Sequence, residues 1–131
     1  QLKRLPAFQQ RREQIAAQFN EAFAALPLIT PACPVAGDTH AWHLYVLRLG
    51  DAVAVSRDAF IERLFAAGIG CSVHYIPLHL QPYWRDRYQL SPADFPHSQK
   101  AYERMLSLPL YTRMTDADVQ RVIAAVRGAL A

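Results

Sequence analysis

Glycine is sparse in this chain and never clustered: Gly37, Gly50, Gly68, Gly70 and Gly128 fall at turns and helix ends. A phosphate cradle needs glycines bunched where the backbone meets the anion, so phosphate cradling by this chain alone has no support. Lysine is scarcer still. Lys3 and Lys100 sit on expected helices among polar neighbours and read as solvated charges, not as a desolvated amine poised for Schiff-base chemistry. Cys33 and Cys71 are too few and too far apart for a disulfide framework or a zinc site, and both read as free thiols. Apolar runs all fall short of the roughly 18 residues a membrane span needs. The opening QLKRLPAFQQRREQ lacks the apolar centre of a signal peptide, so a cytoplasmic protein without membrane contact is expected. Internal repeats and low-complexity tracts are missing too.

A basic stripe is also lacking. The net charge of +3 comes from scattered arginines, among them Arg11, Arg12, Arg48, Arg63, Arg85, Arg87, Arg104 and Arg121, a pattern of solvated helix faces that argues against nucleic-acid binding. What is present is ordinary globular material. At 131 residues with 52% hydrophobic content, the chain is long enough for one domain around one core and too apolar for disorder. It opens on Gln1 in mid-helix style, as a piece of a longer protein would.

Phe8, Ile15, Phe19, Phe23 and Leu26 form one stripe of a first helix that ends before Pro27. LPLITPACPVAGDTH, with its prolines, reads as an irregular connection. AWHLYVLRL is aromatic and branched and predicts a strand covered on both faces, with His43 and Tyr45 on the same side. Ser56 caps a second helix carrying Phe60, Ile61, Leu64 and Phe65 on one side, stopped by Gly68. IGCSVHYI predicts a strand of about seven residues with Ser72 and His74 on one face, ended by Pro77. QPYWRDRY has room for about one helical turn. A third helix starts at Asp94 or Ser98 and runs through Met105, SLPLY allows an edge strand at most, and Thr115 with Asp118 opens a final helix in a capping-box pattern. This order predicts an α+β fold: a small, mainly antiparallel three-stranded sheet packed with helices.

One stretch stands apart. CSVHYIPLHLQPYW, Cys71 to Trp84, crowds His74, Tyr75, His79, Tyr83 and Trp84 into a single loop. Side chains with an apolar body and a polar tip suit a surface that covers a ligand or meets a partner. They also suit a proline-rich loop packed down over the core. A metal site built on His40, His43, His74 and His79 is weaker, because the first two point to opposite faces of a strand and the last two are split by Pro77 with no carboxylate nearby. A nucleophile elbow or Cys-His signature is not found.

HAWHLYVLRL, FAAGIGCSVHYIPLHLQPYW and AYERMLSLPLYTRMTDADVQRVIAAV, three motifs in order, resemble the C-terminal part of the DegT/StrS-type sugar aminotransferases. The resemblance spans nearly the whole chain. It implies the small C-terminal domain of the aspartate aminotransferase fold, with a leading helix over residues 1–26 and a small-domain core over 40–131. The large pyridoxal-phosphate domain, with its Schiff-base lysine, is then missing from this chain. It further implies a homodimeric parent enzyme that moves an amino group from an amino acid, usually glutamate, onto a nucleotide-linked keto sugar, as in lipopolysaccharide or surface-glycan biosynthesis. By the same resemblance, His74, Tyr75 and His79, with Tyr83 and Trp84 beside them, line the substrate side of the cleft. Pyridoxal phosphate belongs to the parent, no cofactor is expected on this fragment, and the fragment alone should be inactive. Cys71 stands where threonine is usual, Trp84 where a second tyrosine is usual, and Thr112 and Arg113 where proline and glycine are common. The alternative is a stand-alone binding or interaction module that uses the His74 to Trp84 loop.

Overall fold

The computed structural model describes residues 2–32, 35 and 37–131. After a 3-10 turn at Leu2–Arg4, α1 (Leu5–Phe23) turns Ile15, Ala16, Phe19 and Phe23 inward, as its spacing predicts. The next segment departs from expectation. The connection read as irregular contains a two-residue strand, β1 (Leu28–Ile29), which pairs antiparallel with β2 (Tyr45–Leu49). Two prolines flank β1 and hide it in the sequence. Gly50 makes the pairing possible: its N–H donates to the Pro27 carbonyl at 2.9 Å, and a Cβ there would sit 2.6 Å from that oxygen. The contact tolerates only glycine.

β2 is shorter than the predicted AWHLYVLRL strand. Trp42 adopts a positive φ of 45°, and its N–H donates back to His40 Nδ1 at 2.9 Å, so the 40–43 stretch is a local turn and His40 and His43 do not alternate across a sheet. β2 also pairs antiparallel with β3 (Met105–Leu108), giving the expected three-stranded sheet in the order β1-β2-β3. The predicted SLPLY edge strand is thus shifted to start at Met105, and Pro109 ends it because proline has no ladder donor. Leu47 faces Leu106 across the strands and Tyr45 faces Leu108, and all four are buried.

That sheet face packs under α1, α2 (Arg57–Ala66) and α5 (Asp116–Leu130). Phe19 meets the Tyr45 ring edge-on at 5.0 Å, and the Tyr45 hydroxyl donates to Asn20 Oδ1 at 2.7 Å, so this buried phenol is satisfied. Ser56 caps α2 by accepting from the Ala59 N–H, and Gly68 (φ 76°) stops it. Phe65, expected on the apolar side, is 56% exposed. Arg63 Nη1 donates to the Ala129 carbonyl at 2.8 Å, tying α2 to the end of α5. The opposite sheet face, bearing Val46 and Arg48, is overlain by α4 (Pro96–Arg104).

The capping box of α5 is complete. Asp118 Oδ2 accepts from the Thr115 N–H and hydroxyl at 2.9 and 2.8 Å, and Thr115 Oγ1 accepts from the Asp118 N–H. The backbone N–H of Thr115, then its hydroxyl, hold the Asp118 carboxyl below its ordinary pKa of 3.8. A carboxyl lowered in the folded state stabilises it fully above that ordinary value and ceases to do so as pH falls through the folded one. Loss of the Thr115 hydroxyl removes an N-cap, so Thr115→Ala is expected to cost about 1 kcal/mol at neutral pH, and the part that comes from its bond to the Asp118 carboxylate should fade in an acid titration of urea stability below pH 3.8.

Candidate functional site

The Cys71 to Trp84 stretch leaves the core in three pieces. In the first, the chain runs beside β3 but pairs with it at one place: Ser72 N–H donates to the Ser107 carbonyl at 3.2 Å and Ser107 N–H to the Ser72 carbonyl at 2.7 Å. The predicted seven-residue strand is therefore a single bridge. β3 has four residues between the end of α4 and Pro109, too short an edge to template more. His74, half-buried, is pinned by a 3.1 Å hydrogen bond between Nδ1 and the hydroxyl of buried Ser107. The peptide bond to Tyr75 is cis. Tyr75 meets the His74 ring edge-on at 5.0 Å and is 78% exposed. Cys71 is a free, half-buried thiol, and burial pushes its pKa up, so it is a poor nucleophile at neutral pH. Cys33 lies outside the described residues.

The second piece is a 3-10 turn, Leu78–Leu80, that drives His79 inward to 3% exposure. Its ring stacks on Phe95 at 5.0 Å, and Nε2 lies 2.9 Å from Gln99 Oε1. The Gln99 amide nitrogen donates in turn to Glu103 Oε1 at 2.6 Å. A carboxylate only accepts, so Glu103 orients the amide, Gln99 presents its carbonyl, and His79 must carry its proton on Nε2. Gln99 and Glu103 lie on α4, which begins at Pro96, between the two starts the sequence suggests. Asp94 instead closes a 3-10 turn at Pro92–Asp94 through Ser91.

The third piece is α3 (Pro82–Tyr88), seven residues where about one turn is expected. Pro82 starts it, and Gln89 ends it in a left-handed conformation (φ 52°). Tyr83 meets Trp84 edge-on at 5.3 Å, and Trp84 stacks on Tyr88 at 5.8 Å with a 12° tilt between rings. All three are exposed. The five sequence-derived candidates thus separate: His74 and His79 anchor the loop to β3 and α4, while Tyr75, Tyr83 and Trp84 face outward. Sequence reading misses Phe95, Gln99, Glu103, Ser107 and Tyr88. The four-residue spacing of Trp84 to Tyr88 and of Gln99 to Glu103 is the signal that could find two of these pairs. Among the described residues, no three His, Cys, Asp or Glu side chains gather in a way that could hold a metal ion. None of the described helices is long and apolar enough to cross a membrane.

The described residues form an α+β unit: a small antiparallel sheet backed by three helices, with an anchored aromatic loop at its edge. Residues 1–127 match the model of the DegT/DnrJ/EryC1/StrS aminotransferase family, and the chain belongs to that family. It is 48% identical over 130 residues to the spore coat polysaccharide biosynthesis protein SpsC of Bacillus subtilis, covering 97% of this chain and 33% of that protein. Its structure resembles the aminotransferase TlmJ from Streptoalloteichus hindustanus (33% identity, TM-score 0.84), covering 98% of this chain and 33% of that one. It also resembles the PLP form of the putative sugar aminotransferase Spr1654 from Streptococcus pneumoniae (28% identity, TM-score 0.89), again covering 98% and 33%. The chain spans about a third of the length of these relatives. The fold is that of the small domain of pyridoxal-phosphate aminotransferases.

Neither lysine of this chain is placed to bond covalently to the family's cofactor. A lysine that bonds to pyridoxal phosphate must be unpaired and turned into a sheltered site. Lys100 is instead exposed on α4 and ion-paired to Asp51 at 2.9 Å, and Lys3 lies exposed in the turn before α1. What the loop provides is two hydrogen-bonded histidines at its base and three exposed rings outside them.

Proposed function

We propose that this chain is the substrate-side small domain of a cytoplasmic, homodimeric aminotransferase that moves an amino group from an amino acid, glutamate in the simplest case, onto a nucleotide-linked keto sugar for lipopolysaccharide or another surface glycan. Pyridoxal phosphate and the lysine that bonds it then belong to the rest of the enzyme, and the fragment alone is inactive. The observation that carries this reading is the division of the loop. His74 and His79 are fixed by Ser107 and by Gln99 with Glu103, while Tyr75, Tyr83 and Trp84 present open rings. Flat amphipathic rings on a fixed base suit a polyhydroxylated ligand with both apolar and polar faces.

In the full-length enzyme, Tyr75→Ala and Trp84→Ala should each raise KM for the keto sugar nucleotide by several-fold to about tenfold, the range a lost aromatic contact supplies. Tm should barely move, because both side chains are exposed. Unchanged KM in both variants would remove the loop from the substrate wall. For the lysine, the 131-residue chain incubated with pyridoxal phosphate and reduced with borohydride should show no preferred site in a peptide mass map. Selective labelling of Lys100 or Lys3 would contradict the assignment.

A further inference from the structure

The sheet face away from the core carries a group of cations that the substrate wall does not use. Arg48 stands on β2 between its cross-strand neighbours Ile29 and Met105 and is exposed while Leu47 and Leu49 beside it are buried. With His97, Lys100 and Arg104 from α4 it lines a cleft of about 300 Å³. Asp51 is the single carboxylate there. It is taken up by Lys100 at 2.9 Å and Arg104 at 3.7 Å, and Arg104 also donates to the Gly50 carbonyl at 2.9 Å. The hydrogen bond and charge of Lys100, then the charge of Arg104, hold the Asp51 carboxyl below its ordinary pKa, so it stays ionised and engaged. Arg48 and His97 have no hydrogen-bond or ion-pair partner among the described residues.

The cleft therefore holds an excess of positive charge between two regular elements. Part of its lining is apolar, from Ile29, Leu49 and Ala101, and a concave site with apolar walls concentrates the field of its charges. A guanidinium with all its donors free matches tetrahedral oxyanions through paired N–H groups. The volume is at the small end of ligand sites, enough for one or two phosphoryl groups.

We propose that the cleft between β2 and α4 is a binding site for a phosphoryl anion, with Arg48 as its main donor and His97 and Lys100 closing on the other side. Free phosphate or pyrophosphate and the diphosphate of a nucleotide share this chemistry. The test is calorimetric titration of the full-length protein, saturated with its cofactor so that the cofactor's phosphate site is filled, using inorganic phosphate, inorganic pyrophosphate and uridine diphosphate. Pyrophosphate is expected to bind, and to bind about tenfold more weakly after Arg48→Gln, the loss of one paired charged contact. His97→Ala should weaken it several-fold, Asp51→Asn should tighten it, and added salt should loosen it. Tighter binding of uridine diphosphate than of pyrophosphate assigns the site to a nucleotide. Equal or weaker binding assigns it to the free anion. His97 is exposed, so its variant keeps the test decisive if the Arg48 variant misfolds. Binding that none of the substitutions alters, or no binding of any probe at millimolar concentration, would overturn the proposal.

Discussion

Phe19→Ala should cost about 3–5 kcal/mol, the range for deleting a buried aromatic ring. Phe19 is fully buried, stacks on Phe23 at 5.7 Å and meets Tyr45 edge-on at 5.0 Å, so the truncation opens a hole where α1 crosses the sheet. Tyr45 adds to the loss, because its hydroxyl is held by Asn20 on the same helix and any drift of α1 strips a buried phenol of its acceptor. Against a typical domain stability of about 5–15 kcal/mol, this one change should leave the fold marginal. Urea unfolding followed by near-UV circular dichroism checks it, with Phe19→Leu as the milder comparison. A midpoint shift no larger for Ala than for Leu would mean that α1 is not part of the cooperative core.

The other large effect is expected at His79. Removing its ring leaves the Gln99 carbonyl without a donor and the Phe95 ring without its stacking partner, and the turn that launches α3 loses its anchor. Because Tyr83 and Trp84 ride on α3, a displacement of about 1 Å there is the kind that costs about a hundredfold in turnover. Under the proposed function, His79→Ala in the full-length enzyme should lower kcat/KM for the keto sugar nucleotide by about that factor. Gln99→Leu should produce part of the same loss, although Gln99 touches no outward ring. Kinetics unchanged in both variants would take His79 out of the site. A loss confined to His79→Ala would mean that its orientation by Gln99 and Glu103 is immaterial.

These two residues also mark what the sequence reveals. Phe19 belongs to an apolar stripe of helical period, and α1, α2 and α5 were readable from such stripes with the caps at Ser56 and Thr115, because helix signals are local. The sheet depends on distant partners. β1 has two residues and exists because Gly50 lets the Pro27 carbonyl approach, a meeting of positions that no window along the chain contains. The alternation in IGCSVHYI is real, yet the edge beside it offers a partner only at Ser107. At the candidate site, residue types singled out this loop but not its division. That His79 is buried and Tyr75 is open follows from α4, whose Gln99 and Glu103 look like ordinary surface polar residues in the sequence.

The division has a consequence for how new specificities could arise on this scaffold. His79 is committed twice, to the interior and to the placement of α3, so its replacement changes everything downstream at once. The outward positions of α3 carry no such debt: Tyr83, Trp84 and Tyr88 are exposed and their rings meet one another, and exposed substitutions usually shift stability by less than about 0.5 kcal/mol. Under the proposed function, a library that randomises those three positions while keeping His79, Gln99 and Glu103 should stay folded and differ in which sugars it accepts. Diversity is cheap on the exposed positions of α3 and nearly forbidden at the His79 turn that precedes it.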